Sequence, residues 1–206
     1  MIEFLHKNWL EIFAVVTGLL YVYLQIRQNK IMWIVGFVSS AIFVYIFFTT
    51  KIYAQSAIYG YYVLISVYGF FKWHNNDQKN TKYKVKEIKF DGPQDRFQFH
   101  PAKITIMTLI NVSILLSVII ALILIRFTGA IIPYKDAFVA GFSIVATWMV
   151  TQKIIQHWYF WIGINIFCVP LYASQELYFT AFMFFVYFIM SIIGLQQWKK
   201  DLQQQS

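Results

Sequence analysis

The sequence predicts an all-α polytopic membrane protein: seven transmembrane helices, set as two parallel three-helix repeats joined by a linker helix. Three observations carry that prediction. Of 206 residues, 59% are hydrophobic and 13% charged, where soluble domains carry about 25% charged residues. Runs such as Leu10 to Ile26 and Ile104 to Ile125 hold almost no charge and are as long as a bilayer core requires. The third observation is internal: residues 11–73 lie on residues 136–198 at a constant offset of 125, without gaps.

Seven apolar segments follow in order, at about 9–26, 31–49, 53–72, 104–126, 136–152, 157–173 and 178–197. Before the first, MIEFLHKNWLEIF sets Glu3 and Glu11 around Lys7 and has no small-residue cleavage site after its apolar run. The segment is therefore expected as a retained helix rather than a signal peptide. Most connections are as short as Arg27 to Lys30 or Ser174 to Leu177, which makes consecutive helices antiparallel neighbours. One connection differs. From Trp73 to Pro101 the chain turns polar, with Lys and apolar residues alternating from Lys82 to Phe90; this reads as a solvated loop, a short hairpin strand or a headgroup contact being the alternatives. Pro133 precedes the fifth segment, and Pro170 lies inside the sixth, where it removes a backbone hydrogen bond and kinks the helix. The domain organisation is then a first repeat over 9–73, a cytoplasmic loop over 74–103, a linker helix over 104–126 and a second repeat over 136–198.

Seven spans place the termini on opposite sides. Lys7, Lys51, Arg126 and Lys135 fall on the amino-terminal side, and the other thirteen Lys and Arg fall opposite. The excess of Lys and Arg marks the cytoplasmic side, so the amino terminus is expected outside and the carboxyl terminus in the cytoplasm. Topology thus accounts for the net charge of +8, and no nucleic-acid partner is needed or indicated by any motif.

The internal register pairs Glu11 with Asp136, Trp33 with Trp158, Val44 with Val169, Tyr53 with Tyr178, Tyr62 with Tyr187, Ser66 with Ser191, Gly69 with Gly194 and Trp73 with Trp198. Apolar sequences align by chance, but tryptophans and glycines in one register argue for duplication. Three helices and one linker bring the second repeat to the starting side of the first, so the repeats are parallel, and a site is expected at their interface near the midplane.

Within KIIQHWYFWIGINIFCVPLY, residues 153–172, Trp158, Trp161 and Asn165 share one helical face. A buried amide at membrane depth is costly without a partner, so Asn165 is expected to face protein or a site rather than lipid. Helix-to-helix packing is the simpler reading for each aromatic taken singly. Tyr59, Tyr62 and Ser66 share a face of the third helix, and Tyr187 and Ser191 share the equivalent face of the seventh. Trp33 and Trp158 start their helices near the inner interface, where an aromatic-belt role competes with a site role; Trp161 lies one turn deeper.

Trp33, the segment YAQSAIYGYYVLISVYGFFKW (residues 53–73) and the segment WYFWIGIN (residues 158–165), carried on this 3+1+3 duplication, resemble the PnuC family. The resemblance runs from Glu11 to Trp198. It implies a bacterial inner-membrane transporter for a B-vitamin precursor, nicotinamide riboside first and thiamine or riboflavin as alternatives. It also implies an arrangement similar to the SWEET sugar transporters, facilitated diffusion with trapping by a cytoplasmic kinase, and a homotrimer. Trp158, Trp161 and Asn165 match the family's Trp-x-x-Trp-x-x-x-Asn pattern; Tyr68, Gly69 and Trp73 match the end of its third helix. Tyr59 and Ser66 stand where nicotinamide riboside carriers have Gln and Asn, which leaves the substrate open. Nicotinamide riboside and thiamine carry a fixed positive charge on a ring, and aromatic faces hold such a ring at about 0.5 to 2 kcal/mol per contact. The expected substrate site is Trp161, Asn165, Tyr59, Tyr62, Ser66, Trp33, Trp158, Tyr187 and Ser191.

Glu11 and Asp136 both open the first helix of a repeat on the expected external side. Helix-dipole placement explains both; drawing a cationic substrate to the outer mouth is the second reading. No chain of Asp, Glu and His crosses the membrane centre, which disfavours proton coupling. The single cysteine, Cys168, excludes an intramolecular disulfide. The sequence holds no HExxH, P-loop or GxSxG, so neither an enzyme, nor a cofactor or metal, nor autonomous ATP-driven transport is expected. A non-transporting membrane scaffold stays open at this stage.

Overall fold

The computed structural model describes residues 2–49, 53–78, 84–88, 105–127 and 133–204, with side chains from Phe13 in α1 and from Ser56 in α3. Seven helices run in order: α1 (Ile2–Ile26), α2 (Ile31–Thr49), α3 (Tyr53–Gln78), α4 (Ile106–Phe127), α5 (Pro133–Thr151), α6 (His157–Ala173) and α7 (Tyr178–Gln203). Three of them, α2, α4 and α7, are each long and apolar enough to cross a membrane on length and composition. The others have identifiable departures. α6 spans 17 residues and holds Pro170. α5 carries Asp136 in its first turn and turns most of its residues inward, so protein rather than lipid covers it.

Helix ends differ from expectation at informative places. α1 begins at Ile2, so Glu11 lies well inside the helix and the dipole argument does not apply to it; its side chain lies outside the described residues. Asp136 does sit in the first turn of α5, where a carboxylate is favoured. Pro133 is the first residue of α5 rather than its predecessor, a position where its missing N–H costs nothing. α3 and α7 run on to Gln78 and Gln203, past the apolar register, because their last turns lie beyond the apolar core and tolerate polar residues.

The helices form two triplets, α1–α3 and α5–α7, in which the second and third helices pack most closely. Each third helix also packs on the first helix of the other triplet, α3 on α5 and α7 on α1. This cross-packing closes a single bundle. At the seams the indole of Trp73 donates to Thr151 O at 3.3 Å, and that of Trp198 donates to Gln25 O at 3.1 Å. Thr151 is the last residue of α5, and the Gln25 carbonyl, in the last turn of α1, also accepts from Gln28 N at 3.0 Å, so an indole of each triplet ties down a helix end of the other.

Glycine makes the closest contacts possible. A Cβ on Gly69 would lie 2.6 Å from the ring of Trp33, and one on Gly194 would lie 2.4 Å from the ring of Trp158. Trp73 then meets Trp33 edge to face at 5.6 Å between centroids, and Trp198 meets Trp158 the same way at 5.9 Å. These four tryptophans, all fully buried, anchor the main core cluster with Met32, Val150 and Ile155. The turns entering α2 and α6 match as well: Gln28 and Lys153, 125 apart, adopt φ of 52° and 53°.

α4 packs on α5, where Gly141 lets the helices close on Ser113 and Ser117. Of the 74–103 connection, residues 74–78 continue α3, and 84–88 dock rather than float. Lys86 pairs with Ile154 in a parallel bridge, Lys86 N donates to Lys153 O, and Ile155 N donates to Lys86 O, both at 2.9 Å. Gln156 adds two bonds to Ile88. The alternation has a physical use: Val85 is buried in the core cluster while Lys84, Lys86 and Glu87 face out. The solvated-loop reading is corrected for these five residues. They form neither a free loop nor a hairpin, because the α5–α6 turn offers the pairing edge.

Candidate functional site

A cavity of about 570 Å³ lies between the triplets, lined by α1, α2, α3, α6 and α7 and touched by Thr147 of α5. Its α1 wall runs from Gln25 to Ala14, about 16 Å of helix. One end is floored by Gln25 and Trp158, at the level where α1 ends and α6 begins. The cavity extends from there toward Phe43 of α2, Tyr59 of α3 and Phe179 in the first turn of α7.

Eight of the nine residues expected at the site line this cavity: Tyr59, Tyr62, Ser66, Trp158, Trp161, Asn165, Tyr187 and Ser191. Trp33 is not among them; it is seated on Gly69 in the core. Trp158 belongs to both, one part of its ring on Gly194 and another edge at the cavity floor. Asp136 is not a lining residue, and Glu11 lies outside the described side chains. Among the described residues no group of three or more His, Cys, Asp and Glu side chains could hold a metal ion.

Polar groups sit in a middle band. Asn165 Nδ2 donates to Ser191 Oγ at 3.2 Å, and Ser191 Oγ donates to Tyr187 O at 2.7 Å. This chain commits the amide nitrogen of Asn165 and fixes the side chain in the wall. Ser66, Ser39, Ser40 and Thr147 add hydroxyls. Thr147 Oγ1 is satisfied by its own helix at Ser143 O, 2.8 Å away, which lets a polar group face an apolar bundle at small cost.

Aromatic faces crowd the band above. Phe43 packs on Tyr59 at 5.0 Å between centroids, Tyr59 meets Tyr62 edge to face at 5.9 Å, and Phe184 meets Tyr187 at 6.2 Å. Beside Tyr62, Tyr61 donates to Ile144 O of α5 at 2.8 Å. Tyr187, at the related position, lies against Gly18 instead; a Cβ there would be 2.2 Å from its hydroxyl oxygen.

Sequence reasoning missed much of the α1 and α2 wall, including Thr17, Gly18, Tyr21, Gln25, Gly36 and Phe43. The internal register contained a usable signal for two of them. Gly36 is the mate of Trp161, and Tyr21 is the mate of Ala146. A Cβ on Gly36 would meet the ring of Tyr21 at 3.0 Å, while Trp161 packs against the cluster containing Ala146. Each triplet therefore places one aromatic at this level, from α1 in the first and from α6 in the second.

The floor carries a polar pair. His157 Nδ1 lies 2.7 Å from Ile154 O, and His157 Nε2 lies 2.9 Å from Gln25 Nε2. A carbonyl only accepts, so Nδ1 bears the hydrogen and Nε2 accepts from the Gln25 amide nitrogen.

Comparison with known proteins gives the family. The profile described as nicotinamide mononucleotide transporter matches residues 8–200. The chain belongs to this family. It is 21% identical over 203 residues to the nicotinamide riboside transporter PnuC of Escherichia coli strain K12, covering 93% of this chain and 85% of that one. It is 21% identical over 197 residues to the riboflavin/roseoflavin transporter RibM of Streptomyces davaonensis, covering 94% and 85%. The crystal structure of the vitamin B3 transporter PnuC superposes with a TM-score of 0.72 at 22% identity, covering 98% of this chain and 86% of that chain. The all-helical membrane fold is thus that of PnuC, and the family is one of transporters, not enzymes.

Proposed function

We propose that the chain carries an unphosphorylated B-vitamin precursor across the bacterial inner membrane by facilitated diffusion. Nicotinamide riboside is the first candidate, with thiamine and riboflavin as alternatives from the same family. The cavity between the triplets carries this reading: it is of small-molecule size, mostly apolar and aromatic, with a few polar groups fixed in its wall. Among the described residues its lining contains no Lys, Arg, Asp or Glu. A phosphate would find no cationic partner there, whereas a ring with a delocalised positive charge finds Tyr59, Tyr62, Tyr187 and Trp161. This supports a riboside or free vitamin over a mononucleotide. The same chemistry supports trapping: once a cytoplasmic kinase phosphorylates the product, the site no longer accommodates it.

In this reading the two triplets are a duplicated three-helix repeat, residues 9–73 and 136–198, and substrate contacts come from the eight predicted lining residues. Arg27, Lys30, Lys72, Lys153, Lys199 and Lys200 gather at the floor end of the bundle. That end faces the cytoplasm, the amino terminus is outside, and the cavity extends toward the external side. A homotrimer is the proposed assembly on the family resemblance alone.

The test is uptake of labelled nicotinamide riboside, thiamine and riboflavin by proteoliposomes. Saturable equilibration of one of them without an energy source is expected. Uptake indistinguishable from empty liposomes for all three would mean a membrane scaffold rather than a carrier of these vitamins.

A further inference from the structure

We propose that Gln25 is a substrate-contacting, specificity-determining residue, its side-chain carbonyl accepting a hydrogen bond from an O–H or N–H of the substrate at the cavity floor. The inference rests on the transport reading above. Gln25 is 2% exposed yet lines the cavity. Its amide nitrogen is committed to His157 Nε2, whose acceptor role follows from the bond between Nδ1 and Ile154 O. That commitment turns Oε1 away from the histidine. Among the described residues Oε1 has no hydrogen-bond partner, and it is not one of the polar atoms sealed off without a partner. The remaining space it can address is the cavity.

The fold itself shows that the pair is not needed for packing. The positions 125 away from Gln25 and His157 are Val150 and Met32, both fully buried in the core. Apolar side chains therefore fill the related place in the same frame. A buried amide and imidazole cost desolvation that Val and Met avoid, so their presence on the cavity side calls for a polar function. The backbone of Gln25 is held as well, its carbonyl accepting from the indole of Trp198 at 3.1 Å. Side chain and backbone are both fixed before a ligand arrives, which is the condition for a directional contact rather than an adaptable one.

The experiment is titration of purified protein with nicotinamide riboside, thiamine and riboflavin, wild type against Gln25→Met, followed by calorimetry. Gln25→Met keeps length and removes the amide. Its effect should be a loss of about tenfold in affinity for the vitamin that wild type binds, in the range for an unpaired buried donor. A purely structural role is separated by repeating the titration with analogues of that vitamin lacking its O–H and N–H donors one at a time. The loss should vanish for the analogue missing the donor that Gln25 holds. Unchanged affinity in Gln25→Met, or an equal loss for every analogue, overturns the inference while leaving transport intact. If wild type binds none of the three vitamins, the transport reading fails and takes this inference with it. Should Gln25→Met not fold, Gln25→Asn, which keeps the amide but withdraws it by one carbon, is read by the same analogue series and the same criteria.

Discussion

In the first triplet Gly69 seats Trp33, and Trp73 closes on that ring edge to face; in the second, Gly194, Trp158 and Trp198 repeat the arrangement within a few tenths of an ångström. Toward the cavity the same comparison breaks down position by position. Tyr62 and Tyr187, and Ser66 and Ser191, are kept. Ser40 faces Asn165, Gly36 faces Trp161, Tyr59 faces Phe184, and the polar pair Gln25 and His157 answers the apolar Val150 and Met32. At the rigid end the residues of the two triplets agree; along the cavity they differ, as the proposed asymmetric ligand requires. A symmetric lining would offer two equivalent half-sites, and a small vitamin has no twofold axis to match them.

The comparison can be broken first at its frame. Gly69→Ala and Gly194→Ala each push a methyl into an indole that is itself boxed in, so each should cost about 3 kcal/mol, the upper part of the overpacking range. Thermal unfolding in detergent checks this, and the two losses should be alike. A harmless Gly69→Ala beside a damaging Gly194→Ala would mean that the two seats are not equivalent.

Next in size is the lining. Asn165→Leu should weaken vitamin binding about tenfold or more, because a buried polar contact is lost and Ser191 loses its donor, while Ser40→Ala at the related position should change affinity less than threefold. Isothermal titration of the two variants decides it; equal losses would mean the ligand sits on the pseudo-axis.

The cross-triplet indole bonds come third. Trp73→Phe and Trp198→Phe keep most of the ring and remove one indole hydrogen bond each, worth about 1 kcal/mol, again read as a pair of similar shifts in melting temperature. The smallest contrast is at the seam tyrosines. Tyr61→Phe gives up the bond to Ile144 O and should lose about 0.5 to 1 kcal/mol of stability, whereas Tyr187→Phe, whose hydroxyl lies over Gly18, should lose close to none.

The number, order and approximate span of the helices were legible because bilayer depth imposes a length on apolar runs, and the 125-residue register was legible because tryptophan and glycine cannot be exchanged at a seat of this kind. The site was half legible. Asn165, Trp161 and the tyrosines stood out as polar or aromatic side chains repeated on one face. Gly18 and Gly36 carry no chemistry of their own and matter only through the rings laid over them, which a linear reading does not see. Gln25 was passed over because it stands two residues before Arg27, where a polar side chain looks like the end of a span. Trp33 was expected at the site as an aromatic included in the family resemblance, but it holds the place in the frame that Trp158 holds in the other triplet, and the cavity lies to one side of it. The docking of 84–88 depends on an edge offered by residues almost 70 positions later, and no local pattern announces that.

The most direct test of the account is titration of the purified wild-type protein with nicotinamide riboside, thiamine and riboflavin, reading the fluorescence of its tryptophans, two of which line the cavity. The account predicts a saturable change with one of the three that is lost in Trp161→Ala and kept in Trp33→Phe, since Trp33 lies in the frame and outside the cavity. No saturable change with any of them, or a change that survives loss of Trp161, would contradict it.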